Sequence, residues 1–422
     1  MQDQSVDIIV VGGGIVGLAH AYMALKKGYK VALFEREHFA IGASVRNFGL
    51  VWPIGQEPGA GLDRALRSRQ HWLDVTADAG CWINTSGSLH LAYHEDERRV
   101  LEEFMALYAG TDGYAYEWLS PGAVREKAPA VRENGLKGAL FSTTECTVNP
   151  REVIRRIPVW LHEKHGLILK FGQTVTQISF PRVSTSTETW KADKIYVCNG
   201  ADFETLYPTL FQQRDITKCK LQMMKATIPQ KTFDLGPSLC AGLTLRHYAA
   251  FSRCTSLRDL DARYDHEAPV FKEHGVHVLV SQNNNGELII GDSHHYGKTV
   301  EPFDNESVNE IILDYLRSFT QFEGLQITER WHGVYPKAQG QLNLLVEPEP
   351  GVTIVNGLGG AGMTLSFGLA EEVIGAPLTL ILIQSGRSPT WWRACACYSW
   401  EGAGATRRNR SHHLLPARSH RC

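Results

Sequence analysis

Residues 6–35 read VDIIVVGGGIVGLAHAYMALKKGYKVALFE, and this stretch decides the fold. Its opening, Val6–Val11, is a β-branched apolar run typical of a strand that a parallel sheet buries on both faces. Glycines interrupt the run, and Ile15–Lys27 then predicts a helix that ends near Gly28. A second apolar strand is predicted over Lys30–Phe34. The order of strand, glycine turn, helix and strand indicates an α/β fold with a parallel sheet.

Three glycines in this stretch, Gly12, Gly14 and Gly17, have the spacing of a dinucleotide-binding turn. The first permits the tight turn, the second lets the backbone approach a pyrophosphate, and the third allows close packing of the helix on the strand. Ile15 and Val16 open the helix, where free N–H groups and the positive end of the helix dipole favour phosphate. We therefore predict a dinucleotide site here, with a purely structural glycine turn as the alternative.

The second predicted strand ends at an acidic residue, Glu35. Its carboxylate can accept a hydrogen bond from a ribose 2′-hydroxyl. Because the same negative charge would repel a 2′-phosphate, NADP is disfavoured as the ligand. Arg36, the next residue along the chain, is a further candidate contact for the nucleotide.

A polar segment bounded by glycines, Gly42–Gly49, follows soon afterwards and reads GASVRNFG. An NAD-binding domain has no evident need for such a loop at this point. The segment resembles the second flavin-contacting segment of the D-amino acid oxidase and glycine oxidase superfamily, which implies FAD as the cofactor. It implies polar contacts from Ser44 and Asn47 and a close backbone approach at Gly49; an ordinary Asn/Gly turn is the alternative. Two further candidate FAD contacts in the segment are Ala43 and Arg46.

A later segment, Ala192–Asp202, also resembles this superfamily. It is predicted to be a strand, and it ends in Asn199 and Gly200. The resemblance implies that this strand closes over the adenosine side of FAD. Val175, just upstream, lies where the family usually holds adenine with a backbone amide.

Near residue 360, the predicted strand Val352–Asn356 leads into the string GLGGAG and a predicted helix, Met363–Ile374. The resemblance implies that the N-terminus of this helix points at the N1–C2=O edge of the flavin. Its dipole and free N–H groups would stabilise the anionic reduced cofactor. The alternative is a glycine-rich cap that serves only helix packing. The candidate FAD contacts here are Gly359, Gly360, Gly362, Met363 and Thr364.

The combined pattern predicts a Rossmann-like FAD-binding domain of the glutathione reductase type, with an antiparallel-sheet α+β substrate domain inserted. The FAD-binding domain is predicted to be discontinuous and to comprise residues 1–85, 145–215 and 330–377. The substrate domain is predicted to comprise residues 86–144 and 216–329. Within it, the string Asn283–Gly286 is predicted to turn a β-hairpin.

The last part of the chain, residues 378–422, differs in texture from the rest. It carries seven arginines against one acid, Glu401, and shows no core pattern. We predict that this tail is atypical, either non-native or disordered. A solvated basic tail that contacts an acidic partner or a membrane surface is the alternative.

The superfamily resemblance covers residues 5–376, and three strings narrow it further. GASVRNFGLVWPIG from residue 42, WHGVYP from residue 331 and GGAGMTLSFG from residue 359 resemble a clade linked to aminophosphonate catabolism. The resemblance implies a substrate like 2-aminoethylphosphonate or its N-methyl or hydroxyl derivative. Amino-acid-oxidising relatives have Gly-Leu-Arg-Pro where this chain has Gly-Val-Tyr335-Pro. Without that arginine, a substrate carboxylate loses its usual bidentate anchor.

An anion placed differently needs other cationic or hydroxyl donors. The candidate substrate-contacting residues are Tyr335, Arg246, His247, Tyr248 and Lys337, with Arg46, His294 and His295 as weaker candidates. Each has an ordinary alternative. Arg246 would be a surface ion pair, the histidines satisfied structural residues, Tyr248 a core aromatic residue and Lys337 a solvated lysine.

These features predict an FAD-dependent amine oxidase or dehydrogenase, which takes a hydride from the carbon that bears the amino group. The resulting imine would hydrolyse to an aldehyde, and dioxygen is the expected electron acceptor. Two alternatives stay open: a glycine or sarcosine-type amino acid oxidase, and a catalytically silent flavin-binding protein. The sequence names no catalytic base and leaves the oligomeric state open.

Composition excludes several other classes of protein. The chain has 422 residues, 43% of them hydrophobic and 21% charged, with a formal net charge of −2, so it lacks the basic balance of a nucleic-acid binder. No stretch approaches the roughly 20 apolar residues that cross a membrane, and no signal-peptide pattern opens the chain. Nine scattered cysteines, without CxxC or zinc-like histidine spacing, predict no metal motif and a cytoplasmic location.

Overall fold

The computed structural model describes residues 4–229 and 233–375. The predicted tail at 378–422 therefore lies outside the described residues. The strands are β1 (Gln4–Val11), β2 (Val31–Glu35), β3 (Leu50–Val51), β4 (Ile83–Asn84), β5 (Ser88–Ala92), β6 (Tyr116–Leu119), β7 (Gly138–Ser142), β8 (Cys146–Val148), β9 (Ile168–Phe171), β10 (Gln177–Ser179), β11 (Arg182–Ser184), β12 (Thr189–Val197), β13 (Ile216–Thr227), β14 (Ser238–Cys240), β15 (Leu279–Gln282), β16 (Leu288–Gly291), β17 (His295–Gly297), β18 (Gln326–Ala338), β19 (Leu344–Glu349) and β20 (Val352–Asn356). The helices are α1 (Ile15–Lys26), α2 (Ala60–Ala79), α3 (Glu95–Leu107), α4 (Pro121–Lys127), α5 (Pro150–His165), α6 (Pro208–Gln213), α7 (Leu243–His247), α8 (Leu257–Glu267), α9 (Val270–Glu273), α10 (Glu306–Phe319) and α11 (Gly362–Gly375).

The first sheet is mainly parallel and is centred on β1, which pairs in parallel with β2 on one side and β12 on the other. Strands β9 and β20 extend it in parallel beyond β2 and β12. Helix α1 connects β1 to β2, as the apolar run and the glycine turn predict. The strands β10, β11 and β19 complete the sheet in antiparallel pairing. The predicted α/β fold with a Rossmann-like sheet is therefore confirmed.

The turn between β1 and α1 requires glycine at two positions. Gly12 has a φ of +110°, and a Cβ added to it would lie 2.2 Å from the carbonyl oxygen of Cys198 on the neighbouring strand. A Cβ added to Gly17 would lie 1.9 Å from the carbonyl oxygen of Gly12. Because these distances are far below a van der Waals contact, the first glycine allows the turn and the third allows α1 to pack on β1, as predicted.

The second sheet is mainly antiparallel and has nine strands, in the order β17-β13-β16-β15-β14-β5-β7-β6, with β18 on the other side of β13. Its longest pairing is that of β13, which contacts β16 and β17 along one edge and β18 along the other. The predicted hairpin is confirmed, because β15 and β16 pair in antiparallel register around Asn283–Gly286, with Gln282 opposite Leu288. Leu279, Val280 and Ile290 on this hairpin are fully buried.

The division into two domains stays a prediction. The strands of the first sheet lie within residues 4–35, 168–197 and 344–356, and those of the second within 88–142, 216–297 and 326–338. Strand β18 crosses the boundary drawn at residue 330 and belongs to the second sheet along its whole length. A third, small sheet joins β3, β8 and β4.

Within the described ranges, no helix combines the length and apolar character that spanning a membrane requires. The six cysteines in these ranges are buried and form no disulfide: Cys81, Cys146, Cys198, Cys219, Cys240 and Cys254.

Candidate active site

One cavity of about 640 Å³ is lined by both large sheets. From the first sheet it receives residues at the carboxyl ends of β1, β2, β12 and β20, where parallel α/β sheets bind their ligands. From the second sheet it receives residues of β13 and β18. The volume is in the range of cofactor and substrate sites.

Most of the candidate FAD contacts line this cavity. Those that do are Gly12, Gly14, Ile15, Val16, Glu35, Arg36, Ala43, Ser44, Arg46, Asn47, Val175, Asn199, Gly200, Gly359, Gly360, Gly362 and Met363. The residues come from six separate parts of the chain, and folding brings them to one cavity. Their individual contacts with FAD stay predictions.

The carboxylate of Glu35 is held at the base of the glycine turn. Its Oε2 accepts a hydrogen bond from the backbone N–H of Gly13 at 2.7 Å, and its Oε1 accepts one from the N–H of Glu37 at 3.1 Å. Each oxygen keeps a second acceptor position for a ribose hydroxyl. Arg36, beside it, forms an ion pair with Asp202 at 3.0 Å across the cavity rim.

The loop at residues 42–49 is held against the start of α1. Ser44 Oγ accepts a hydrogen bond from the N–H of Ile15 at 2.9 Å, so this hydroxyl satisfies one free donor of the helix N-terminus. The Asn47 amide group is used inside the loop, since its Nδ2 donates to the carbonyls of Ala43 and Ser44, and its Oδ1 accepts from the N–H of Gly49. The Asn47 side chain therefore shapes the loop, and its contact with FAD stays a prediction.

Three candidate FAD contacts, Gly17, Gly49 and Thr364, do not line the cavity. Gly17 serves the packing of α1 on β1. Gly49 has a φ of +77° and approaches a backbone closely, but that backbone is the carbonyl of Val148, 2.0 Å from where a Cβ would lie. Thr364 is buried, and its Oγ1 accepts a hydrogen bond from the N–H of Trp52 at 2.9 Å. For Gly17 this is the packing role that the glycine turn predicts, whereas Gly49 and Thr364 are corrected to structural roles.

The N-terminus of α11 faces the cavity at its other side. Gly359, with a φ of +62°, opens the turn that precedes the helix. The hydroxyl of Tyr335 lies beside Gly360, 3.5 Å from where a Cβ of that residue would be. Strand β18 places Tyr335, opposite Cys219 on β13. Burial raises the pKa of the Tyr335 phenol well above its usual value, so the hydroxyl keeps its proton at neutral pH.

The residues present fit FAD. Gly12 and Gly14 line the cavity at the glycine turn, and the first turn of α1 supplies N–H donors for a pyrophosphate. Glu35 offers acceptors to a ribose, and α11 directs a second helix N-terminus at the same cavity. FAD would therefore be held between the starts of α1 and α11.

Aromatic and imidazole side chains form the substrate-side wall of the cavity. His247 and Tyr248 line it as predicted, together with His277, Asp292 and His294. Burial lowers the pKa of His294 to about 4, so its ring is neutral at neutral pH.

Arg246 is corrected as a candidate substrate residue. It does not line the cavity; its guanidinium forms ion pairs with Asp261 at 2.7 Å and Asp265 at 2.5 Å, both on α8. Lys337 also lies outside the lining and donates to the hydroxyl of Tyr296 at 3.2 Å. Burial lowers the Lys337 pKa. Lys337 is therefore neither solvated nor at the cavity wall.

Two residues of this wall, His277 and Asp292, were not predicted from the sequence. The available signals were weak: His277 interrupts the apolar run 276–280, and Asp292 follows directly on β16. Arg46 lines the cavity, but its Nη1 donates to the carbonyl of His332 at 3.3 Å. The weaker candidate His294 lies in the wall. His295, which follows it and begins β17, does not line the cavity.

Comparisons with known proteins agree with this geometry. The family model of the FAD dependent oxidoreductases, DAO, matches residues 7–375. Glycine oxidase of Bacillus licheniformis is 21% identical over 346 residues, which cover 78% of this chain and 81% of that protein. D-amino acid dehydrogenase of Helicobacter pylori is 26% identical over 292 residues, which cover 55% and 67%.

A solved structure gives the same result for the fold. The crystal structure of glycine oxidase from Geobacillus kaustophilus superposes with a TM-score of 0.70 at 19% identity, covering 89% of this chain and 96% of that one. The family model spans nearly all the described residues, and the structure gathers the glycine turns, Glu35 and two helix N-termini at one cavity. The chain therefore belongs to the DAO family of FAD dependent oxidoreductases.

Proposed function

We propose that this enzyme oxidises a small amine whose anionic group is a phosphonate, such as 2-aminoethylphosphonate or its N-methyl or hydroxyl derivative. Amine oxidation is supported by two of the similar proteins, which are named glycine oxidase and D-amino acid dehydrogenase. The phosphonate is our own step beyond them. The observation that carries it is the position of Tyr335.

Tyr335 stands where the resemblance expects the arginine that clamps a carboxylate, and its buried hydroxyl lines the cavity next to Gly360. A phenol cannot replace a guanidinium as a bidentate, charged partner of a carboxylate. The nearby side chains, Tyr248, His247 and His294, offer several separate polar groups. The three phosphonate oxygens point in different directions around one phosphorus. They therefore suit several separate hydrogen-bond partners better than one planar guanidinium group.

The residues of the chain would orient the amine, and FAD when bound would accept the hydride from the carbon next to nitrogen. As the C–H bond breaks, the nitrogen lone pair forms the C=N bond of an imine, which water hydrolyses to an aldehyde. The N-terminus of α11 would stabilise the negative charge that arrives at the cavity. We propose dioxygen as the final electron acceptor.

The test is anaerobic reduction of the FAD-bound protein by 2-aminoethylphosphonate, its N-methyl form, glycine and sarcosine in parallel. We expect the aminophosphonates to bleach the yellow absorbance at least about tenfold faster than the amino acids at equal concentration. Bleaching by glycine or sarcosine alone would show an amino acid oxidase. No bleaching by any of the four amines would contradict the proposed substrate class.

A further inference from the structure

Three histidines from separate segments meet in the substrate-side wall. His247 ends α7, His277 precedes β15 and His294 follows β16. One ring nitrogen from each lies within 4.8 Å of the other two. We refer to these residues as the histidine triad. No disulfide, helix or loop constraint requires three imidazoles at one point, so their convergence calls for a ligand.

One ring of the triad is held by a hydrogen bond. The carbonyl of Gly275 accepts from His294 Nδ1 at 2.9 Å, which places the N–H on that atom and a lone pair on Nε2. Asp292 Oδ1 lies 3.1 Å from His277 Nε2 without forming a hydrogen bond, so this carboxylate acts on the His277 ring through its charge. Metal-binding histidines are commonly held in this way, by a carbonyl or a carboxylate at the nitrogen that does not bind the metal.

A buried atom of this group has no partner in the described part of the chain. His277 is 3% exposed, and its Nδ1 accepts no hydrogen bond. Buried polar atoms without a partner are rare, and they often mark the place of a bound ion or water molecule. When the N–H of His277 is on Nε2, beside Asp292, the lone pair on Nδ1 can bind a metal ion.

We infer that the histidine triad binds one divalent metal ion of the Zn²⁺ type. Imidazole nitrogen suits Zn²⁺, Ni²⁺, Cu²⁺ and Fe²⁺. A tetrahedral Zn²⁺ with bonds of about 2.0–2.1 Å needs ligand nitrogens about 3.4 Å apart. Side-chain rotations that move each ring nitrogen by roughly 1 Å would bring the three nitrogens to this spacing. The sequence shows no zinc motif because the three histidines come from α7 and from either side of the β15–β16 hairpin.

The rings must turn when the ion binds. The rings of His247 and His277 are stacked, with centroids 3.8 Å apart and planes 22° apart, and those of His277 and His294 are also nearly parallel, with centroids 5.2 Å apart and planes 19° apart. A metal lies in the plane of each imidazole that binds it, so it cannot share two stacked rings. His247 is the exposed member of the triad, so its ring has the most room to rotate toward the ion.

The ion would add a positive charge to the cavity wall near Tyr335. Three protein ligands leave a fourth position open, as in catalytic zinc sites. A phosphonate oxygen of the substrate would fill that position. This step rests on the proposed function, whereas metal binding by the triad does not.

The first experiment measures metal binding directly on the FAD-bound protein. After treatment with a chelator, the protein is titrated with Co²⁺, whose visible d–d absorption reports tetrahedral nitrogen ligation, and Zn²⁺ is then used to displace it. We expect one ion per chain. His277→Gln and His294→Gln should each weaken Co²⁺ binding at least about 100-fold, and Asp292→Asn about 10- to 100-fold.

His295→Gln is the matched control, because this histidine adjoins the triad in sequence and does not belong to it. It should bind Co²⁺ like the unchanged protein. Retained yellow FAD and an unchanged Tm show that each variant folds. Absence of Co²⁺ binding, or equal binding in the unchanged protein and in both triad variants, would overturn the inference.

The second experiment uses methylphosphonate as the probe, with and without the metal. We expect the metal-loaded protein to bind methylphosphonate at least about tenfold more tightly than the metal-free protein, and acetate to show a smaller change. A bound metal without this difference would overturn the substrate-bridging role. If metal-free protein oxidises 2-aminoethylphosphonate at full rate, the substrate-bridging role fails and the proposed function stands; bleaching by amino acids alone would defeat the proposed function and leave metal binding untouched.

Discussion

The substitution Glu35→Gln tests the cofactor site most directly, because this carboxylate makes no contribution to the second sheet. Glu35 accepts from the N–H of Gly13 at 2.7 Å and from the N–H of Glu37 at 3.1 Å. Both bonds orient the carboxylate, and one acceptor position remains on each oxygen. A glutamine keeps one acceptor oxygen, loses the charge and presents an NH₂ group that cannot accept from the second backbone N–H.

The expected loss of FAD affinity follows from these bonds. A hydrogen bond to a charged group contributes about 1.5–3 kcal/mol, and each 1.4 kcal/mol changes Kd about tenfold. Loss of one charged ribose contact in Glu35→Gln should therefore raise the Kd for FAD roughly 10- to 100-fold. Glu35→Ala removes both oxygens and leaves the buried N–H of Gly13 without its partner, so its loss should be larger.

The assay is titration of apoprotein with FAD, followed by quenching of flavin fluorescence. Glu37→Gln is the control, because it removes the same charge from an exposed position two residues away and should change the Kd less than about threefold. A Kd for Glu35→Gln within threefold of the unchanged protein would refute the ribose contact. An equal loss in Glu37→Gln would show that general charge, and not the held carboxylate, governs binding.

Three further predictions concern the substrate wall, the α2–α11 contact and a buried histidine. Tyr335→Phe should raise KM for 2-aminoethylphosphonate about tenfold, because one hydrogen bond to an anion is lost, and it should leave the Kd for FAD unchanged. Steady-state kinetics test this prediction, and a fall in kcat alone, with KM unchanged, would contradict it. Arg64→Met should lower the free energy of unfolding by about 2–3 kcal/mol, measured with urea, because buried Arg64 binds the partly exposed Glu372 at 2.6 Å and Asn343 at 2.7 Å. The control is Arg98→Met, which removes an exposed ion pair and should leave Tm nearly unchanged. Equal effects of the two substitutions would argue against the buried contact. Burial lowers the pKa of His20 from 6.5 to about 4, so its stabilising effect is complete above about pH 6.5 and is lost as pH falls toward 4. His20→Leu should therefore reduce the loss of folding stability between pH 7 and pH 5 by about 2 kcal/mol. Identical pH profiles of stability in the two proteins would show that His20 is not the cause.

Local sequence was sufficient wherever neighbouring residues determine the geometry. The apolar run 6–11 and the glycines at 12 and 17 predicted a strand and a turn that the structure contains, because a backbone with φ near +110° or a Cβ 2 Å from a carbonyl excludes other residues. The hairpin at Asn283–Gly286 was predicted for the same reason. Resemblance of these local strings to a known family then indicated FAD.

Local sequence was misleading where the partner of a side chain comes from elsewhere in its own segment or from another element. Asn47 was predicted to contact the flavin, but three backbone groups of its own loop occupy its amide. Thr364 was predicted to face the cofactor, but a half-turn of α11 directs it at Trp52. Arg246 stands beside two cavity residues in sequence and turns away from them, because Asp261 and Asp265 on α8 attract it.

The sequence by itself determined the α/β class, the glycine turn and the FAD-binding family, since each depends on residues that are adjacent or a few positions apart. Only the tertiary structure decided which side chains form the substrate wall. His247, His277 and His294 meet because β15 and β16 pair as a hairpin and α7 packs at its end, and no spacing in the chain records that distance. Contacts between distant segments depend on how sheets and helices pack, so they become visible only when the chain is folded.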